Sequence, residues 1–222
     1  LMKKMKYLLF GLIELNKYNI IHLDIKLNNI VISKGNFKII DFGLSNKINF
    51  TEHFLSRSYY EFTKSRFYIW YPAEYIYFTI SNEEIDLELE KINNTDINDF
   101  RNDMEYLVDI NGFFNRDVET DFISLLEDYK TMDKEKFLKN EYKNLLNEID
   151  TYSFGMLLPV LFYVNDILKN VKESELLTDF FNLFKKMCDP DYKNRIHISE
   201  AYDLFLKLLD KYKSKYKSKS KS

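Results

Sequence analysis

Apolar residues recur at helical spacing near the start of the chain. Met5, Leu8, Leu9, Leu12 and Ile13 form one stripe within residues 2–18, which predicts an amphipathic helix. A loop is expected over 20–28. Ile30-Val31-Ile32 and Phe37-Lys38-Ile39-Ile40 then flank Ser33-Lys34-Gly35-Asn36, which reads as a short β-hairpin around a turn. Residues 44–70 lack a clean period and are rich in hydroxyls, as expected of a long loop. Pro72 suits the first turn of a short helix running to Ile80. Residues 82–147 read as several helices separated by turns such as Asn93-Asn94-Thr95-Asp96 and Asn111-Gly112. The apolar stretch 149–168 carries Ser153, Asn165 and Asp166 and predicts a buried helix, kinked at Pro159. Two more helices are expected at 174–187 and 197–211. The Lys/Ser repeat 211–222 reads as a low-complexity, disordered tail.

Composition narrows the class. With 222 residues, 45% apolar and 17% aromatic, the chain can bury a sizeable core, which excludes wholesale disorder. The formal net charge of −3 gives no bulk case for nucleic-acid binding. Charge is unevenly placed, however. Residues 81–149 hold 19 acidic and 8 basic side chains, while 211–222 contribute six lysines. No apolar run reaches the roughly 18 residues of a transmembrane helix. The opening Tyr7-Leu8-Leu9-Phe10 soon meets Glu14 and Lys17, so it reads as an amphipathic helix rather than a signal peptide. Cys188 is the only cysteine, which excludes an internal disulfide and a Cys-based zinc site. A reducing, cytoplasmic setting is the expectation. Because Leu1 is not a normal initiator, a longer parent chain is expected too.

The densest chemistry is His22-Leu23-Asp24-Ile25-Lys26-Leu27-Asn28-Asn29. It sets a carboxylate, an ammonium two residues on and an amide five residues on in one tight loop. Phosphoryl transfer needs those groups together: a carboxylate to orient and deprotonate a hydroxyl, a cation against the moving phosphoryl, and an oxygen ligand for Mg²⁺. This segment resembles the catalytic loop of eukaryotic-type protein kinases. Asp41-Phe42-Gly43, directly after the hairpin, is similar to their metal-binding D-F-G motif. Three weaker motifs follow in the family's order. Tyr71-Pro72-Ala73-Glu74 resembles A-P-E with Ala and Pro exchanged. Asp150-Thr151-Tyr152-Ser153-Phe154-Gly155 resembles D-x-W-S-x-G, with Tyr152 at the Trp position. Asp189-Pro190-Asp191-Tyr192-Lys193-Asn194-Arg195 resembles D-P-x-x-R.

The resemblance implies an α+β kinase-like fold, represented mainly by the helical C-lobe with a short β-hairpin. It covers 1–81 (catalytic loop, hairpin and activation segment) and 148–210 (remaining helices). Residues 82–147 would be an acidic helical insertion. By the same resemblance, Asp24 is the catalytic base and Lys26 lies against the transferred phosphate. Asn29, Asp41 and Gly43 border the nucleotide, and Asn29 and Asp41 hold Mg²⁺. Glu74 and Arg195 form a buried pair, while Asp150 hydrogen-bonds the backbone near His22. The implied cofactors are ATP and Mg²⁺, and the implied partner is a protein substrate. Lys26 is the serine/threonine-type choice in this family.

The departures are informative. The five glycines (11, 35, 43, 112 and 155) make no G-x-G-x-x-G, and no V-A-I-K strand precedes the catalytic loop. An N-lobe would have to lie upstream of Leu1 or be supplied by a partner segment. Leu23 stands where the family usually has Arg, which implies activity without activation-loop phosphorylation. Two other functions compete. One is a pseudokinase or scaffold that binds a partner through the insertion, which the intact Asp24/Asn29/Asp41 set opposes. The other is a small-molecule kinase of related fold, which the motifs around Glu74 and Arg195 oppose.

Several residues have ordinary readings. His22 packs within its loop rather than acting as a base, and His53 and His197 are loop and helix-start residues. Asp86, Glu88 and Glu90 form a solvated face, and the lysine tail is solubilising. Cys188 is a small buried hydrophobe. Ser56, Ser58, Tyr59, Tyr60, Thr63 and Ser65 are loop hydroxyls open to phosphorylation.

Overall fold

The structure is a computed structural model that describes residues 1–47, 70–79, 81, 83–87, 118–164 and 174–219. Most of the expected long loop therefore lies outside the described residues. So do the turns at 93–96 and 111–112, the hydroxyls between Ser56 and Ser65, and His53.

Helix α1 (Met2–Lys17) buries Met5, Leu8, Leu9 and Leu12, whereas Ile13 is only partly buried. Strand β1 (Ile20–Ile21) and a 3₁₀ turn (Leu27–Asn29) follow. Strands β2 (Ile30–Ser33) and β3 (Asn36–Ile39) make the hairpin, pairing Ile30 with Ile39 and Ser33 with Asn36. Lys34 and Gly35 turn it at φ 50° and 76°, the left-handed geometry that a two-residue hairpin requires. A second 3₁₀ turn (Phe42–Leu44) leads to β4 (Asn46–Lys47), which pairs antiparallel with β1. That second sheet is not foreseeable from pattern, because two-residue strands carry no alternation.

Helix α2 (Ala73–Thr79) starts directly after Pro72, and a helical turn follows over 83–87. Helices α3 (Val118–Lys130), α4 (Lys134–Val164), α5 (Glu175–Met187) and α6 (Ile198–Lys219) complete the described chain. The fold is mostly helical with two small sheets, compatible with a kinase-like fold. The core is aromatic: Phe154, Phe180, Phe184 and Phe205 are fully buried, with Phe180 and Phe205 edge to face at 4.9 Å. Gly155 is required where α4 meets the end of α5, since a Cβ there would lie 2.7 Å from the Cys188 backbone nitrogen. Cys188 is buried, as its reading as a small hydrophobe requires. Among the described residues no helix is long and apolar enough to cross a membrane.

Two expectations need correction. The apolar helix expected from 149 begins earlier, since α4 runs unbroken through that point from Lys134. No Gly or Pro lies between Lys134 and Ser153, so the change in hydropathy marks a change in burial and not a break in the backbone. The tail 211–222 is also not disordered throughout, since α6 continues to Lys219. Tyr212 is buried and its hydroxyl donates to Asp179 at 2.7 Å. Lys211 reaches Asp179 at 2.6 Å and Glu175 at 3.2 Å, and Lys215 also pairs with Glu175. Two lysines one turn apart on α6 thus face two acids one turn apart on α5. Exposed ion pairs are weak singly, but they supplement the burial of the Tyr212 ring.

Candidate active site

The loop between β1 and β2 gathers three of the candidate residues. Lys26 Nζ lies 2.9 Å from Asp24 Oδ1. Asn29 Nδ2 donates to Asp24 Oδ2 at 2.7 Å and to the Asp24 carbonyl at 2.9 Å. Asp24 and Asn29 are buried, and Lys26 is half-buried. An ammonium and an amide thus fix both carboxylate oxygens. Charge-assisted contacts of this kind are roughly twice as strong as neutral ones.

The loop backbone is held from below. Asp150, in α4, accepts the N–H of His22 at 2.6 Å and of Leu23 at 2.9 Å. Burial pushes the Asp150 carboxyl up, and the two N–H donors oppose that rise. Leu23 has φ 62°, a left-handed conformation that a leucine adopts only when its surroundings impose it. The Asp150 contact on its N–H and the Tyr71 hydroxyl on its carbonyl, at 3.1 Å, impose it here. His22 is fully buried, its Nδ1 accepts from the Asp24 N–H at 3.3 Å, and its ring meets Phe42 edge-on at 4.7 Å.

Asp41 enters the same region through the hairpin. The N–H of its neighbour Ile40 donates to the Asn29 carbonyl at 2.9 Å. Asp41 is exposed at φ 63°, and its Oδ1 accepts from Gly43 N–H at 3.2 Å. A Cβ at Gly43 would stand 3.1 Å from that oxygen, so the third position of this turn favours glycine.

Among the described residues no group of three His, Cys, Asp or Glu side chains could hold a metal ion unaided. The donors present nevertheless fit Mg²⁺, which takes one or two carboxylates and completes its shell with water and substrate phosphate. Asp41 presents an exposed carboxylate. The amide nitrogen of Asn29 is committed to Asp24, which leaves its oxygen as the available donor.

A second polar cluster lies behind the loop. Arg195 and Glu74 are fully buried at their side chains and meet at 2.5 Å. The Arg195 guanidinium also donates to the carbonyls of Asp189, Pro190 and Glu148. Burial pushes the Glu74 carboxyl up against the pull of the guanidinium. Burial opposes the Arg195 charge, but Glu74, Glu148 and Tyr152 together hold Arg195 above its ordinary range. Glu148, two residues before Asp150, is pushed up to about 7, mainly by burial.

Sequence reasoning assigned no role to four residues that hold the site. Tyr71 grips the Leu23 carbonyl, and Ser45 Oγ donates to the His22 carbonyl at 3.3 Å. Ser153 Oγ contacts the Trp70 carbonyl at 2.7 Å, tying α4 to the segment before α2. Glu148 adds a second buried carboxyl near Arg195. Tyr71 and Ser153 sit inside the motifs around Glu74 and Asp150, which was the available signal.

Residues 1–87 match the family model of the protein kinase domain. The match spans the loop from His22 to Asn29, Asp41-Phe42-Gly43 and Glu74, and it supports the protein kinase superfamily and a kinase-like function. No curated protein and no solved structure matches the chain.

Proposed function

We propose that this chain carries the helical lobe of a serine/threonine protein kinase, transferring the terminal phosphoryl group of ATP to protein hydroxyls. The observation that supports this most is the Asp24 carboxylate, held between Lys26 and Asn29 inside the matched region. In this reading a substrate hydroxyl approaches Asp24, which orients it and accepts its proton as the new O–P bond forms and the bond from the terminal phosphorus to the bridging oxygen breaks, releasing ADP. Lys26 stands beside the incoming oxygen and offsets the charge of the moving phosphoryl. Mg²⁺ with ATP, when bound, neutralises phosphate charge that two aspartates alone would repel. Asp41 and Asn29 are the residues to hold it. Asp150 keeps the loop in place during this chemistry but touches no reacting atom.

The extent of the lobe is part of the proposal: 1–81 and 148–210 form it, and the acidic stretch 82–147 enters between them. The test is an acceptor comparison with the full-length product, Mg²⁺ and γ-labelled ATP. Label on serine or threonine of a protein mixture supports the reading. Label confined to a small alcohol such as choline or an aminoglycoside would place the protein among small-molecule kinases instead.

A further inference from the structure

The acidic stretch contributes more to the core than an add-on would. Tyr129, in α3, is 2% exposed and packs its ring 5.2 Å from Tyr77 of α2 and 5.8 Å from Phe137 of α4. Tyr77 in turn lies 5.1 Å from Phe137, and its hydroxyl donates to the Met132 carbonyl at 3.4 Å. Phe137 meets Tyr192 at 6.2 Å, in the turn that ends at Arg195. Residues on both sides of the Glu74–Arg195 pair are therefore touched by side chains of the 118–137 stretch.

The polar atoms point the same way. Glu74 Oε1 takes Arg195, while Glu74 Oε2 is buried with no hydrogen-bond partner among the described residues. The Tyr129 hydroxyl is buried and unpartnered in the same sense. Burial first, and then the Glu74 charge, push that hydroxyl above its ordinary range, and the Tyr129 ring packs on Tyr77, three residues from Glu74 on α2. A buried donor and a buried acceptor, each unmet, cost more apart than joined.

We propose that Tyr129 is a positioning residue through which the acidic segment holds the Glu74–Arg195 pair. Its hydroxyl is linked to Glu74 Oε2 across one buried water, and its ring clamps α2. The hold passes on to the catalytic loop. Tyr75 of α2 stacks on Tyr71 at 4.4 Å, and Tyr71 grips the Leu23 carbonyl beside Asp24. A tyrosine that only fills the core would need the ring and not the hydroxyl. This inference does not rest on the chemistry proposed for Asp24, because each readout below is a backbone amide.

The experiment measures amide hydrogen exchange on the full chain. The probes are Tyr75, whose N–H donates to Pro72, and Leu23, whose N–H donates to Asp150. Tyr129→Phe is expected to speed exchange at both by about tenfold or more, the scale of a hydrogen bond to a charged group. In a Glu74→Gln background the same change should add little. Wild-type exchange in Tyr129→Phe overturns the proposal, and so does an undiminished effect in Glu74→Gln. If Glu74→Gln does not fold, Tyr129→Phe is compared with Tyr129→Leu. A Phe effect at least half the Leu effect supports the hydroxyl link, and a smaller one overturns it.

Discussion

Asp150 Oδ1 accepts the backbone N–H of Leu23 at 2.9 Å across 127 residues of chain. Its other oxygen takes the neighbouring His22 N–H, so one carboxylate fixes the peptide that enters the loop bearing Asp24. Leu23 sits at φ 62°, and the contact opposes its relaxation to an ordinary backbone conformation. Asp150→Ala should therefore cost about 3 kcal/mol or more, the sum of two buried hydrogen bonds to a charged group. Asp150→Asn keeps one acceptor oxygen and should cost less. Chemical denaturation of both variants checks the order, and an Ala variant as stable as wild type contradicts it.

Removing Arg195 would leave the Glu74 carboxylate buried without its partner. Arg195→Ala should lose roughly 3–5 kcal/mol, far more than Lys139→Ala at an exposed position of α4. Arg195→Lys should recover little. The guanidinium also serves the carbonyls of Asp189, Pro190 and Glu148, and an ammonium cannot span that fork. Melting curves decide this, and a Lys variant that melts with wild type would show that charge alone suffices.

Glu148 gives a pH dependence. Burial raises it from an ordinary 4.5 to about 7, against the pull of Arg195. A carboxyl raised in the folded state contributes stability that is fully present below pH 4.5 and is lost as pH rises through about 7. That gap corresponds to about 3 kcal/mol. Glu148→Gln cannot ionise, so its stability relative to wild type should improve between those pH values and level off above them. Urea titrations at pH 4.5, 6 and 8 test this, and parallel wild-type and Gln curves would contradict it.

Short-range features of the fold were legible in the sequence, while long-range ones were not. Asp24, Lys26 and Asn29 lie within five residues, so any tight loop gathers them. The stripe of Met5, Leu8, Leu9 and Leu12 foretold α1, and the Lys34-Gly35 turn foretold the hairpin. Glu74 and Arg195 are 121 residues apart, and only a resemblance placed them together. The continuity of α4 across 147–149 was missed because its first half is polar and its second half apolar, a change that reads like a boundary between helices. The end of α6 was missed because Lys/Ser repeats carry no period. Its order comes from the buried Tyr212 ring, supplemented by ion pairs to Glu175 and Asp179 on another helix. Tyr129 belongs to no motif, and only the fold shows that its hydroxyl is buried without a partner among the described residues.

The central claim is that Asp24 is the base of a phosphoryl-transfer site, with Asp41 as a metal ligand. Both substitutions are made in the full-length product and measured as turnover and nucleotide affinity. Asp24→Asn keeps the contacts of shape and loses the proton acceptor. Turnover should then fall about 10²–10⁴-fold with nucleotide affinity little changed. Asp41→Asn should weaken Mg²⁺-dependent nucleotide binding as well as turnover. An Asp24→Asn protein that transfers phosphate at the wild-type rate contradicts the account directly.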